Sequence, residues 1–189
     1  MKKVKISGPA IFMYSAIAFT FVLTVVCFVM YYGAFFEHSA VKWTGVVSFM
    51  ILYQFGLRIL FGEITNRIEF NYNLSFFKRK PFEAKLYRLL RVRQWKDKVL
   101  TFDPDKYDFE NRTLHQLAST MAKSETDHWF NVLISLFGIL FAFIWGQFPV
   151  FLAVSILAIL FDAQFIVVQR YNRPIVLRLK ERREAKQTV

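Results

Sequence analysis

From Pro9 to Phe36 the chain carries no charged residue. A run of that length crosses about 30 Å of hydrocarbon with some tilt. Inside a bilayer every backbone polar group must find its partner within the protein, so the run forms a membrane-spanning helix and its surroundings are organised around a lipid boundary. The MKKVK start has the look of a signal-peptide n-region, but the apolar run is too long for an h-region. Neither Tyr32-Gly33-Ala34 nor His38-Ser39-Ala40 offers small residues at both cleavage-reading positions, so an uncleaved anchor is expected. Composition agrees with the local reading: 55% hydrophobic and 19% aromatic side chains in 189 residues exceed what a soluble domain of this size hides.

Three further apolar segments follow, giving expected spans at about 9–36, 43–62, 129–148 and 149–169. Arg58 interrupts the second and Asp162 the fourth. Only Gly146-Gln147-Phe148-Pro149 separates the last two, which predicts a tight antiparallel hairpin. Lys and Arg are distributed as three before the first span, Lys42 alone in the first loop, thirteen between Glu63 and His128, and seven from Arg170 onward. Cytoplasmic segments carry the Lys/Arg excess, so both termini and the 63–128 loop are expected at the cytoplasmic face of a cell membrane. The chain thus reads as one all-α membrane domain, 1–189, with four transmembrane helices, a cytoplasmic interfacial helical segment between spans two and three, and a basic tail at 170–189. The net charge of +11 suits anionic headgroups, and no nucleic-acid motif accompanies it. Cys27 is the single cysteine, so a disulfide framework is excluded.

The 63–128 loop is too long for a plain connection and too aromatic for a disordered one. FEAKLYRLLRV (Phe82 to Val92) places Phe82, Leu86, Leu89, Leu90 and Val92 on one helical face and Lys85, Arg88 and Arg91 towards the other, as in a helix lying in the membrane interface. Arg93 and Lys96 break the apolar face, either by ending the helix or by turning cations towards an anion. TFDPDKYDFEN (Thr101 to Asn111) reads as a solvated acidic loop that lacks the glycine and terminal glutamate of a calcium loop. Further on, Glu125 and His128 are three apart on one helix face, and Ser124, His128, Asn131 and Ser135 extend a polar stripe into the membrane, where such stripes face the protein interior. A histidine beside a carboxylate has the composition of a general base. His128-Trp129 is equally an interfacial anchor. No metal site is expected: His115 falls on the opposite helix face, His38 lies across the membrane, and no cysteine is available.

Three strings, RVRQWKDK (Arg91 to Lys98), ETDHW (Glu125 to Trp129) and VVQRYNRP (Val167 to Pro174), together resemble in order and spacing the glycosyl-4,4'-diaponeurosporenoate acyltransferase family. The resemblance extends over roughly Gly56 to Leu179. It implies a membrane-embedded enzyme of carotenoid biosynthesis that moves a fatty acyl group to a hydroxyl of a lipid-linked, glycosylated acceptor, and it supports Arg93, Trp95, Lys96, Asp97, Glu125, His128, Gln169, Arg170, Tyr171, Asn172 and Arg173 as site residues. In that reading His128 is the base and Glu125 orients it. Asn172, Tyr171 or Arg170 stabilises an oxyanion, and Arg93, Lys96 and Arg173 meet the phosphates of the donor. The expected partners are membrane lipids, the acceptor, and acyl-CoA or an acyl carrier protein as co-substrate, with no cofactor. A different class of function remains beside it, a non-catalytic adaptor whose basic face binds anionic lipid or a partner subunit.

Overall fold

The structure is a computed structural model that describes residues 8–99, 107–108 and 111–187. Among these residues every regular element is helical, and four helices are long and apolar enough to cross a membrane. The protein is therefore an all-helical membrane protein, with two compact units meeting between Leu60 and Phe61.

The first unit contains α1 (Gly8–Tyr32) and most of α2 (Ser39–Thr65). Ala34 at φ 58° turns the chain between them. Aromatic rings join the two helices at both ends: Phe28 meets Phe49 with centroids 6.3 Å apart, and Phe12 meets Phe55 at 6.5 Å. Gly45 makes this pairing close, because a Cβ there would lie 2.7 Å from the Phe28 ring. The outward faces expose Phe19, Phe21 and Val22, a surface that suits hydrocarbon and would drive association in water.

The second unit is built on α5 (Leu114–Gly138) and α7 (Phe148–Gln187). Thr113 starts α5 with a capping box: its hydroxyl accepts from the Gln116 amide, and the Gln116 side chain accepts from the Thr113 amide. The helical path continues through a 3₁₀ turn at Ile139–Phe141 and α6 (Ala142–Trp145). It reverses at Gly146 (φ 76°) and Gln147 (φ 59°), and Pro149 enters the first turn of α7, where an amide needs no partner. The expected hairpin is present, with α5 and α7 antiparallel.

Two boundaries differ from the sequence expectation. The third span is the far half of a helical run that begins at Leu114, and α7 passes through Pro174 to Gln187. Proline removes the hydrogen bond to the residue 170 carbonyl, yet Arg170 and Arg173, both just before it, are pinned to Glu125 of α5, and the helix continues. The segment 170–187 is thus a helical continuation of the span. Outside the spans, Tyr72 and Phe77 pack with Leu117, Met121 and Val176 into a core that joins the inter-span segment to both helices. Thr65 Oγ1 donates to Asp127 Oδ1, and Ser119 Oγ donates to the Phe70 carbonyl, which fixes the segment's start.

The amphipathic stretch folds as α3 (Glu83–Leu89), then α4 (Val92–Trp95) and a 3₁₀ turn at Lys96–Lys98. Arg91 in the left-handed conformation (φ 49°) breaks α3 from α4, so the cations of RVRQWKDK do not continue the apolar face. Phe82, Leu86, Leu89 and Leu90 are exposed, whereas Glu83 and Tyr87 are buried. The acidic loop around Pro104 lies almost wholly outside the described residues.

Candidate active site

Two polar layers cross the α5/α7 interface. In the first, His128 Nδ1 and Asp162 Oδ1 are 2.8 Å apart, and Asn131 Nδ2 donates to the same oxygen at 3.0 Å. Asp162 is fully buried while the His128 side chain keeps 19% of its surface. Opposite an ionised Asp162, which only accepts, the matching neutral tautomer donates from Nδ1 and leaves the lone pair on Nε2. Phe165, nearly one turn beyond Asp162, lies flat on the imidazole with centroids 4.4 Å apart and planes 4° apart. The ring is thus held at its edge and its face.

The second layer gathers Glu125, Arg170, Arg173, Glu83 and Tyr87. Glu125, 0% exposed, accepts from Arg170 Nη1 and Arg173 Nη2, both at 2.6 Å. Arg170 also gives Nε and Nη2 to Glu83 Oε1, and it reaches the carbonyls of Phe76 and Lys78. Arg173 donates to the Phe77 carbonyl and lies over the Phe77 ring at 4.9 Å. Two guanidiniums and two carboxylates balance in charge, the condition under which such groups tolerate burial. Burial pushes the Glu83 carboxyl up, but the Tyr87 hydroxyl and the Arg170 guanidinium outweigh it and hold the group below the ordinary glutamate value. Burial and the neighbouring Glu83 push the Tyr87 phenol well above its ordinary value, so its hydroxyl remains a donor to Glu83 Oε2 at 2.8 Å.

The proposed pairing of Glu125 with His128 is corrected here. Although one turn apart, they belong to different layers, and the carboxylate on the imidazole is that of Asp162. Arg170 and Arg173, expected at an oxyanion and a phosphate, are turned inward to Glu125. Tyr171 packs edge-on against Tyr87 at 5.5 Å, and Gln169 donates to the Tyr107 hydroxyl at 3.0 Å. Asn172 lies about 15 Å along α7 from Asp162 at 1.5 Å per residue, level with the arginine layer.

RVRQWKDK meets α7 from the side. Trp95 Nε1 donates to the Leu90 carbonyl at 2.9 Å, Lys96 pairs with Asp97 at 2.6 Å, and Arg93 is exposed. Trp95, Lys98 and Val99 face Phe161, Gln164 and Phe165 across a groove of about 430 Å³. Phe165 is common to both sites: its ring covers His128 and lines the groove. Sequence reasoning missed Asp162 as the partner of His128, although a carboxylate within an apolar span was itself a signal of function. Glu83 and Gln164 gave no signal, since each stands among residues of ordinary pattern.

A family model for glycosyl-4,4'-diaponeurosporenoate acyltransferase matches residues 73–182, more than half of the chain and inclusive of both polar layers and the groove. No curated protein and no solved structure matches the chain.

Proposed function

The chain belongs to the glycosyl-4,4'-diaponeurosporenoate acyltransferase family, and from that premise we propose that it transfers a fatty acyl group from a thioester donor to a hydroxyl of a glycosylated, lipid-linked acceptor at the cytoplasmic membrane face. Acyltransferase activity in carotenoid biosynthesis is what the family supplies. The donor, the acceptor and the side of the membrane are our reading.

One observation carries the mechanism: an imidazole whose Nδ1 is held by a buried carboxylate beside a groove floored by the same phenylalanine that covers it. His128 is the base, and Asp162 and Asn131 position it. The acceptor hydroxyl gives its proton to Nε2 as its oxygen bonds to the thioester carbonyl carbon. The adduct collapses, the C–S bond breaks, and the departing sulfur takes the proton from Nε2, leaving an ester and a free thiol. Acyl-CoA or an acyl carrier protein suits the basic loop, with the exposed Arg93 and Lys98 towards carrier phosphates and Lys96 held by Asp97 beside them. We place the exposed face of α3 in the membrane interface, with Phe82 and Leu89 towards acyl chains and Lys85 and Arg88 towards anionic headgroups. Glu83 on the opposite face ties that helix to the arginine layer. The proposed work needs no metal or cofactor.

Comparison by mass spectrometry of lipids from cells with and without the protein tests the reading. Acyl esters of glycosylated lipids that depend on the wild-type chain and vanish with His128→Gln support it. Unchanged lipids in the presence of folded protein overturn it and favour an adaptor.

A further inference from the structure

Phe161, Gln164 and Phe165 stand at i, i+3 and i+4 on α7 and form one stripe along the groove wall. The rings of Phe161 and Phe165 meet edge to face at 5.2 Å. Opposite them are Trp95, Lys98 and Val99. The groove therefore has aromatic walls, one neutral amide and one exposed cation. Trp95 Nε1 is already directed to the Leu90 carbonyl, so the indole contributes surface.

An oxyanion forming near His128 needs a hydrogen-bond donor that is not already committed elsewhere. The donors suggested by sequence do not meet that need. Arg170 and Arg173 hold Glu125, Tyr171 packs on Tyr87, and Asn172 is about 15 Å along the helix from Asp162. Gln164 is about 3 Å of helical rise from Asp162 but points away from it, to the groove side of α7, where it lines the same groove as Phe165. It also directly precedes the phenylalanine that covers the imidazole.

We infer that this groove is the subsite for the acyl thioester, with the Gln164 amide donating to the thioester oxygen as it becomes an oxyanion and with Phe161, Phe165 and Trp95 holding the start of the acyl chain. The assignment rests on the acyl-transfer reading above. The electrons of the carbonyl π bond move to oxygen as the acceptor oxygen attacks, Gln164 stabilises that charge without gaining or losing a proton, and they return as the C–S bond breaks. Lys98 at the mouth meets the phosphate end of the carrier. The donor enters from the loop side, and a membrane-borne acceptor approaches along the same face of α7, where Leu157 and Leu160, one turn before Phe161 and Gln164, are exposed.

The test uses the full chain in lipid nanodiscs, with saturated acyl-CoA thioesters of graded length as donors and an alkyl glucoside as acceptor. Gln164→Leu and the isosteric Gln164→Glu are both expected to lower kcat by about 10²- to 10³-fold, the usual effect of losing one oxyanion donor, with KM for the donor near the wild-type value. Gln164→Asn, which keeps the amide, is expected to recover part of the rate, and Phe161→Ala to shift preference towards a different chain length. Thermal unfolding of each variant separates a fold defect from a catalytic one. Wild-type kcat in Gln164→Leu, or full activity in Gln164→Glu beside a destabilised Gln164→Leu, overturns the assignment while leaving the enzyme reading standing. Wild-type protein that forms no ester under these conditions overturns both.

Discussion

Arg173 reaches from α7 to Glu125 on α5 with 2.6 Å between Nη2 and Oε2, and neither side chain is more than 1% exposed. Its neighbour Arg170 joins the same carboxylate to Glu83, so one glutamate holds two arginines and, through them, α3. Removal of one member of a buried pair leaves an uncompensated charge and costs about 3–5 kcal/mol. Glu125→Gln and Arg173→Met are therefore expected to lower the unfolding temperature in detergent sharply, and the double variant Glu125→Gln/Arg173→Met to lose less than the sum of the single losses. Strictly additive losses in a double-mutant cycle contradict the coupling.

In the mechanism we propose, His128 and Asp162 act as one unit. His128→Gln is expected to lower turnover by about 10² to 10⁴-fold, the range for a positioned base. Asp162→Asn lets Nδ1 accept instead of donate and costs a loss of the same order, while the double variant is scarcely worse than His128→Gln alone. Steady-state kinetics on variants with matched thermal stability decides the matter: independent, multiplicative losses rule out the unit.

Glu83 supplies an acid limb. Its carboxyl is held below the ordinary glutamate value in the folded chain, so its contribution to stability is fully present above the unfolded value of about 4.3 and is lost as pH falls through the lower, folded one. Thermal unfolding of Glu83→Gln is expected to show a shallower decline with acidification than wild type. Tyr87→Phe removes one of the bonds that lowers the group, which leaves the onset of the decline in place but makes it smaller and lets it level off at higher pH. Superimposable profiles for all three proteins exclude Glu83 as the source.

Topology is open to chemical labelling. In a Cys27→Ser background, cysteine placed at Ser39 is expected to react with an impermeant reagent from outside the cell, and cysteine at Ser75 to remain unmodified until the membrane is opened. Reaction of Ser75→Cys from outside would move the proposed site to the other face.

The spans were legible because hydrocarbon imposes length and apolarity on a helix, and the polar stripe from Ser124 to Ser135 showed which side of α5 faces protein. The pairing across that stripe was not legible. Glu125 and His128 share a helix face at the spacing that suggests contact, but contact depends on which α7 residue stands opposite each of them. That register is a tertiary fact: Asp162 meets His128, and Arg170 and Arg173 meet Glu125. The end expected near Gln169 failed for a similar reason, because even Pro174, a local helix breaker, is overridden where ion pairs stand one and four residues before it. The RYNR string reads as a catalytic cluster or a stop-transfer sequence from its composition, and in the fold its arginines serve the attachment of α3.

The unbroken course of α7 has a further consequence. At 40 residues and 1.5 Å each it is about 60 Å long, twice the thickness of a hydrocarbon core. Because α7 stays helical through Pro174, the imidazole's partner and the arginine layer share one helix, so the height of the proposed reaction above or below the bilayer midplane is set by how lipid seats that helix. Under the mechanism we propose, hydrophobic mismatch becomes a rate variable: thicker bilayers draw His128 away from a water-borne donor, and thinner ones lift it clear of a lipid-borne acceptor.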